Sequence, residues 1–325
     1  MSDPRSARRR AFLFAALAAL LGCLGGCAQF LVPQTMALRN AWPQQVPRAI
    51  ELTQGPVFPQ LEYQSGPAAL ATVMGAAGAN VAPEQLVDEV YLPARQGSLQ
   101  VEMLVAPRRH DMVSYQLAPG YDALLREVAA GNPVLILQDN GIFPFRQWHY
   151  AVVAGFDYAT GDLLLRSGEE RRQIQAFTLF EFNWKPAQYW AMVVLPPERL
   201  PATATEASYL PAVVAMDRVA SSTAAIRAYQ AFLARWPDSE VAGIGLANRL
   251  YAAADLDGAE QVLRQALRAH RASPLVLNNL AQVLSDRGRN AEALELIERA
   301  ASDSGAVADA VAATRELIAK RSRTQ

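Results

Sequence analysis

Two polar residues stand in sequence contexts that would let them perform acyl-transfer chemistry together. Ser65 is followed by Gly66-Pro67 and by a run of small and apolar residues that predicts a helix over 67–77. A nucleophile at a helix N-terminus lies at the positive end of the helix dipole, and backbone N–H groups of the turn can receive a developing oxyanion. His149, one of three histidines, begins a strand-like run over 150–155. The two segments predict a nucleophile position and a base that meet in one cleft.

These segments resemble the motifs of the bacteriocin-processing (double-glycine) peptidases, a papain-fold family of cysteine peptidases. The resemblance covers about residues 57–195 and rests on Gln60, on 65–70 (SGPAAL) and on 149–155 (HYAVVAG). It implies an α+β papain-like domain. It also implies a nucleophile position at Ser65, a base at His149 and an oxyanion-binding amide at Gln60, with Gln64 as a second candidate.

Ser65 departs from the family, which has a cysteine at this position. A serine hydroxyl is far harder to deprotonate than a thiol. The sequence contains two cysteines, Cys23 and Cys27, both near the N-terminus, so no other thiol can replace the missing nucleophile. Three hypotheses follow: a catalytically inactive relative that binds a partner, an active thiol peptidase whose native cysteine was engineered to serine, and a structural lipoprotein.

The residue that would orient His149 also departs from the family pattern, which has an aspartate on the next strand. The aligned position is Ser167. Asp157 is a poor substitute because it lies eight residues farther along the same strand, about 26 Å if fully extended. Hairpin pairing predicts that Glu169 or Glu170 lies opposite His149, although a shift of one residue would turn either side chain to the other face.

The N-terminus predicts export and lipid attachment. Arg8, Arg9 and Arg10 precede a short apolar segment, 11–21, with the layout of a signal peptide. The following Leu-Gly-Gly-Cys resembles a bacterial lipobox with Cys27 as the lipidated residue; Cys23 is the alternative, and an uncleaved anchor helix is a further one. Residue 28 is Ala rather than Asp, so we expect an outer-membrane anchor and a periplasm-facing chain.

The C-terminal third shows a period of 34 residues that resembles the tetratricopeptide repeat. The pairs are Leu246/Leu280, Ala247/Ala281, Leu250/Leu284, Ala254/Gly288, Ala259/Ala293, Leu263/Ile297 and Ala266/Ala300. Alternating small and large residues allow two antiparallel helices to pack closely. Ala225, Tyr229 and Phe232 fit the second helix of an earlier, degenerate repeat. The resemblance implies a surface that binds an exported peptide or protein; packing or dimerisation is the alternative.

The whole chain is therefore expected to be an α+β papain-like domain followed by all-α repeats. The predicted divisions are a signal peptide (1–27), a tether (28–56), a papain-like domain (57–197), a linker (198–208) and helical repeats (209–325). With 30 basic and 31 acidic residues and a net charge of −1, the chain has no basic patch for nucleic acid. The sequence contains no Gly-rich phosphate loop and no predicted metal-ligand cluster, so we expect no cofactor. His110 and His270 are expected to have no catalytic role.

Overall fold

A computed structural model describes residues 31–59, 64–142, 144–302 and 305–323. The chain divides into two compact units that are not continuous in sequence. The first contains the chain up to Ala76, Asn80–Gln100 and Gln116–Val193, and the second contains Ala77–Ala79, Val101–Tyr115 and Val194–Gln325. The predicted division at 197–208 does not follow this partition, because residues 101–115 cluster with the helical second unit. Within the described ranges, no helix is both long and apolar enough to cross a membrane.

The first unit begins with helices and continues with strands. Its first elements are α1 (Pro33–Asn40), β1 (Ala49–Glu51), α2 (Ser65–Ala76), α3 (Pro83–Val90), β2 (Tyr91–Leu92) and β3 (Gly97–Ser98). After a segment that clusters with the second unit, the first unit continues with α5 (Tyr121–Ala129), β5 (Val134–Asp139), β6 (Trp148–Asp157), β7 (Asp162–Ser167), β8 (Glu170–Ala176), α6 (Phe177–Trp184) and β9 (Ala191–Leu195). The intervening segment contains α4 (Gln100–Arg109) and β4 (Val113–Gln116). This order confirms the α+β class expected from the sequence.

The main sheet of the first unit is antiparallel. Its strands follow the order β9-β5-β6-β7-β8, and β1 pairs with the far end of β6. In β5 all six residues are buried, which explains the continuous apolar run in the sequence. The register places Gln138 opposite His149 and Val152 opposite Arg166. The sheet therefore brings the C-terminal ends of β5 and β7 beside the N-terminal end of β6.

The segment predicted to be a tether is structured from residue 33 onward, and that prediction is wrong for this part. The buried carboxylate of Glu181 on α6 accepts hydrogen bonds from the N–H groups of Gln34 (2.8 Å) and Thr35 (2.6 Å) at the N-terminus of α1. Trp42 then packs on Tyr158, with ring centroids 4.8 Å apart, and on Phe156. These contacts are long-range, so local periodicity could not predict them.

The guanidinium of Arg166 holds the next stretch of the same segment. It donates hydrogen bonds to the carbonyls of Leu52 (2.6 Å), Gln54 (2.7 Å) and Pro56 (3.4 Å). Arg166 is buried, and burial lowers its pKa, although an arginine remains protonated at neutral pH. Arg166 therefore fixes the backbone at Leu52, Gln54 and Pro56.

The second unit consists mainly of helices with the predicted 34-residue period. They are α7 (Glu206–Asp217), α8 (Ser222–Arg235), α9 (Glu240–Ala252), α10 (Leu256–Ala269), α11 (Pro274–Asp286), α12 (Asn290–Ala301) and α13 (Ala308–Ser322). Helices α9 and α10 begin 34 residues before α11 and α12, and six of the seven aligned pairs are buried in both repeats. The seventh, Ala254/Gly288, lies in a turn where both residues have positive φ, +62° and +78°.

Residues 101–115 contact the start of the helical unit directly. The hydroxyl of Tyr115 donates to Ser208 Oγ at 2.9 Å, and its ring packs edge-on against that of Tyr209. The carboxylate of Asp111 accepts hydrogen bonds from the N–H and the hydroxyl of Ser221, both at 2.8 Å. Helix α7 and the N-terminus of α8 are therefore tied to a segment that lies about a hundred residues earlier.

A cluster of charges joins the two clear repeats. Glu260 on α10 has a side chain only 8% exposed, and it accepts hydrogen bonds from Arg264 (2.7 Å), Arg289 (2.8 Å) and Arg287. Arg264 also donates to Glu292 on α12 at 2.5 Å. Burial raises the pKa of the Glu260 carboxyl, but the hydrogen bonds and charges of Arg264 and Arg289 outweigh it, and the net pKa is lowered.

Candidate functional site

Ser65 is the first residue of α2, which begins two residues before the helix predicted over 67–77. Residues 66–74 of that helix are all buried, so its N-terminus is held firmly by the core. Ser65 itself is half-buried, and its Oγ accepts a hydrogen bond from the Tyr150 N–H at 3.2 Å. This bond links the nucleophile position directly to the residue after His149.

His149 lies near the start of β6, where its imidazole meets Ser167 at the end of β7. His149 Nε2 and Ser167 Oγ are 2.7 Å apart. Burial lowers the pKa of His149 below its ordinary value of about 6.5, so the imidazole is neutral at pH 7. Because Nε2 is engaged with Ser167, a proton exchanged with Ser65 would use Nδ1.

Ser167, one of the candidate orienting residues, is thus the residue in contact with the imidazole. Glu169 and Glu170 are exposed, and the register places Glu170 opposite Ser167 on β8 rather than opposite His149. The alternative assignment of either glutamate as the orienting residue is therefore wrong. Asp157 lies at the other end of β6, where its carboxylate accepts a hydrogen bond from the Ala159 N–H at 2.8 Å.

Ser65 and His149 line one open cleft in the first unit with a volume of about 840 Å³. Its other lining residues come from five segments of the chain: 95–100, Leu137 and Asn140, 146–148 with Tyr150, Gly168, and 186–188. Gln60, the implied oxyanion amide, lies outside the described residues. For Gln64, the second candidate, the backbone carbonyl accepts the Ala68 N–H at 3.4 Å in the first turn of α2.

Two short 3-10 turns form part of the cleft wall, and the sequence analysis missed both. Pro93–Arg95 ends at Gln96, and Lys185–Ala187 ends at Gln188; each glutamine has a left-handed backbone, with φ of +49° and +56°. Both glutamines line the cleft. The available signal was a proline in the first two positions of each turn, Pro93 and Pro186, with a glutamine after the turn, since proline favours the start of a helical turn.

Asp139 organises the loop between β5 and β6, which forms another part of the rim. Its carboxylate accepts hydrogen bonds from the N–H groups of Gly141 (3.0 Å) and Gln147 (2.8 Å) and pairs with Arg146 (2.8 Å). Burial raises the pKa of Asp139, but these hydrogen bonds and the arginine charge together lower it. The guanidinium of Arg146 also lies 5.8 Å from the Trp148 ring centroid, a cation–π distance.

Gln138 is the buried neighbour of the imidazole across the sheet. It lies directly opposite His149 in the register, is 2% exposed, and its Oε1 has no hydrogen-bond partner among the described residues. Residues opposite each other in an antiparallel pair share one face of the sheet. An amide beside the imidazole provides polarity without charge, in keeping with a neutral His149.

A family model and solved structures are each similar to a part of this chain. A family model described as "Tetratricopeptide repeat" matches residues 275–308. Among solved structures, the chain is similar to a C39-like peptidase from Bacillus anthracis, with 14% identity, 46% of this chain and 98% of the other covered, and a TM-score of 0.39. It is also similar to the peptidase domain of Streptococcus ComA, a bifunctional ABC transporter of a quorum-sensing pathway, with 18% identity, 44% and 99% covered, and a TM-score of 0.35. No curated protein matches the chain.

The structure confirms the expected α+β class of the first unit and the helical class of the C-terminal region, where a tetratricopeptide repeat is matched. In the first unit, a buried helix presents residue 65 at its N-terminus, and the antiparallel sheet presents residues 149 and 167 at one edge. In the second unit, the matched segment includes all of α11 except its first residue, the residues between α11 and α12, and all of α12.

Proposed function

We propose that this chain is a lipid-anchored, periplasm-facing, peptidase-like protein that holds an exported peptide or protein in its cleft and on its repeats without cleaving it. Cys27 is the proposed lipidation site, with Cys23 as the alternative. The proposal carries over the cleft of the double-glycine peptidases but not their hydrolytic reaction.

The observation that carries the proposal is the set of contacts around Ser65. Its Oγ accepts a hydrogen bond from a backbone N–H, and the nearby imidazole is buried, has a lowered pKa and is bonded to a neutral hydroxyl. A serine nucleophile needs a base that becomes cationic as it takes the proton, and a carboxylate normally stabilises that cation. Ser167 has no charge to offer, so burial of the imidazole opposes the reaction.

The cleft nevertheless retains the features of a peptide site. It is open, large enough for several side chains and bordered by amide, guanidinium and aromatic groups of Gln96, Gln188, Arg146 and Trp148. Such convergent polar groups in a partly apolar cleft are typical of ligand recognition. The repeats add a second surface, since tetratricopeptide repeats generally bind proteins.

The test uses activity-based labelling together with peptide binding. We expect purified chain to show no labelling of Ser65 by a fluorophosphonate and no turnover of a peptide library, while a subset of the same peptides crosslinks to the cleft through a photoreactive group. Substituting Trp148→Ala should reduce that crosslinking at least five-fold. Stoichiometric, His149-dependent fluorophosphonate labelling would contradict the proposal, and so would equal crosslinking to wild type and Trp148→Ala.

An active thiol peptidase is the second candidate, and the retained contact between positions 149 and 167 favours it. It applies if the native gene encodes cysteine at position 65. Sequencing the native gene decides between the two: a cysteine codon supports the peptidase, and a serine codon supports the inactive binding protein. Peptide turnover by Ser65→Cys but not by Ser65→Cys/His149→Ala would show that the remaining site is competent.

A further inference from the structure

The first unit exposes a group of large apolar side chains beside the cleft. Ile142 is 84% exposed and Phe145 is 81% exposed in the loop between β5 and β6, and Leu179 and Phe182 are 53% and 55% exposed on α6. We call these four residues the apolar rim. Single exposed apolar residues are common, but a group of four large ones on adjoining elements indicates a binding surface.

Helix α6 has two distinct faces. Its inward side buries Phe180, Glu181 and Trp184, and the Glu181 carboxylate holds the N-terminus of α1. Its outward side carries Leu179, Phe182 and Asn183, which share one face because they are three and four residues apart. The same helix thus anchors the first described helix of the chain and presents half of the apolar rim.

The two halves of the rim are connected by a side-chain contact. Asn183 Nδ2 on α6 donates a hydrogen bond to Asn140 Oδ1 at 3.3 Å, and Asn140 lies two residues before Ile142. Asn140 also lines the cleft, together with Arg146 and Trp148 from the same loop. The rim is therefore a single surface that borders the cleft opening.

The position where the chain reaches α1 identifies the partner for this surface. Leu31, the first described residue, is 53% exposed, whereas Val32 and Thr35 are buried. Cys27 precedes Leu31 by four residues, a span of at most about 14 Å when extended. If Cys27 carries a lipid, α1 and the α6 that holds it lie close to the bilayer.

We propose that the apolar rim contacts the lipid bilayer surface, and that the cleft of the anchored protein consequently opens beside the membrane. The proposal rests on the anchoring proposed above and adds an orientation to it. Aromatic and aliphatic side chains that project from a loop and a helix are the groups that enter the headgroup region of a bilayer. A substrate or partner in the cleft would then be a membrane-proximal segment of an exported protein.

Depth-dependent fluorescence quenching tests the orientation. Full-length chain with Cys23→Ser and Cys27→Ser carries no thiol, so a cysteine introduced as Ile142→Cys, Phe182→Cys or Thr160→Cys can be labelled alone. Thr160 is exposed in the turn after β6, at the opposite end of that strand from Trp148. We expect brominated lipids in phosphatidylethanolamine–phosphatidylglycerol (3:1) vesicles to quench the label at 142 and 182 at least three-fold more than at 160.

A rim variant provides the matched loss of function. Ile142→Ser/Phe145→Ser/Phe182→Ser should reduce vesicle flotation at least three-fold, whereas Val241→Ser/Leu275→Ser, which removes exposed apolar groups from the repeats, should not. Equal quenching at all three positions overturns the proposal, as does unchanged flotation of the rim variant. Self-association that the rim variant abolishes, without quenching, assigns the surface to a second copy instead. These chains cannot be lipidated at Cys23 or Cys27. The quenching and flotation results therefore do not depend on whether Cys27 carries a lipid, and the two proposals can fail separately.

Discussion

At the scale of single residues, the chemistry of the cleft depends on what stands at position 167. A serine hydroxyl can donate to or accept from His149 Nε2, so the 2.7 Å contact holds the ring without fixing its tautomer or stabilising its cation. An aspartate in the same place would fix Nε2 as the protonated nitrogen and favour the imidazolium through its charge. The site therefore lacks two functional groups of a thiol peptidase, one at position 65 and one at position 167.

We predict that restoring both groups restores a reactive thiolate. Ser65→Cys should alkylate with iodoacetamide faster than a free thiol, and Ser65→Cys/Ser167→Asp should be at least ten-fold faster again at pH 7. The reason is that burial now lowers the pKa of His149, whereas a carboxylate at 167 would raise it and so stabilise the cysteine thiolate beside it. The pH profile of alkylation should shift downward by about one unit or more between the two variants.

The control for this experiment is Ser65→Cys/Ser167→Asp/His149→Ala, which should react like a free thiol. If Ser65→Cys alkylates no faster than a free thiol and Ser167→Asp adds nothing, the imidazole is not aligned with position 65. That result would contradict the role assigned to His149.

The sequence analysis named the three residues that meet at the candidate site, and the strand register explains why Glu169 and Glu170 were misplaced. Ser65 and His149 follow from motifs, and Ser167 follows from the family resemblance, whereas counting across the β6–β7 turn gave Glu169 or Glu170. The glutamates were misplaced because β7 ends at Ser167 and the chain turns again at Gly168, which has a φ of +60°; the β6–β7 pairing also shifts between Val153 and Gly155. A shift of one residue reverses the face of a strand, and a single sequence does not reveal it.

At the scale of elements, the sequence predicts the repeats better than the N-terminal segment. Repeat packing is local and periodic, so the buried pairs can be read from the 34-residue spacing. Helix α1 and strand β1 form because of residues more than a hundred positions away, notably Glu181 and Phe156. Helix α6 was missed for a related reason: it is short and buries Glu181, which a periodicity analysis treats as a solvent-exposed residue.

We predict that Glu260 stabilises the junction between the two repeats. Glu260→Gln should destabilise the chain by roughly 2 kcal/mol, because three arginines converge on a carboxylate that is almost fully buried. Thermal unfolding followed by circular dichroism at pH 7 measures the effect. Glu298→Gln, which removes a carboxylate from an exposed pair with Arg315, is the matched control and should change stability by less than about 0.5 kcal/mol.

We also predict how the stability difference between wild type and Glu260→Gln changes with pH. The pKa of Glu260 is lower in the folded chain than its ordinary value of about 4.3, so its ionised form stabilises the fold above that pH. This contribution should be lost as the pH falls through the lowered folded pKa. The stability difference between wild type and Glu260→Gln should therefore shrink below pH 4; a constant difference down to pH 3 would contradict the assigned role.

At the scale of the whole molecule, the two compact units share the chain in a way that affects how the repeats can be tested. Deleting 206–325 would remove Ser208, Tyr209 and Ser221, which hold Tyr115 and Asp111. If that deletion abolished partner binding, the loss could result either from the missing repeat surface or from misfolding of the remaining chain. Substitutions on the repeat surface avoid the problem because they leave these contacts in place.

We predict that lipid attachment depends on Cys27. Cys27→Ala should abolish incorporation of radioactive palmitate, while Cys23→Ala should behave like wild type, because the residues before Cys27 resemble the lipobox and leave the longer apolar segment. If Cys23→Ala alone loses the label, the lipidated residue is Cys23. Incorporation into the double variant would contradict the lipoprotein assignment.

The last prediction concerns capture of a partner by the repeats. The first helices of successive repeats lie side by side, where Asn279 Nδ2 donates to Asn248 Oδ1 at 3.4 Å and the exposed Tyr251 donates to Asp286 on α11 at 2.6 Å. Amide and phenol groups in such a row can pair with the backbone of an extended peptide. Asn248→Ala/Asn279→Ala should therefore reduce co-purification of partner proteins with the chain at least five-fold. The matched control, Gln261→Ala/Gln265→Ala, removes two exposed amides from α10 and should leave co-purification unchanged. If both double variants retain their partners, the repeats have a packing role, and the cleft around Ser65 and His149 becomes the principal binding site.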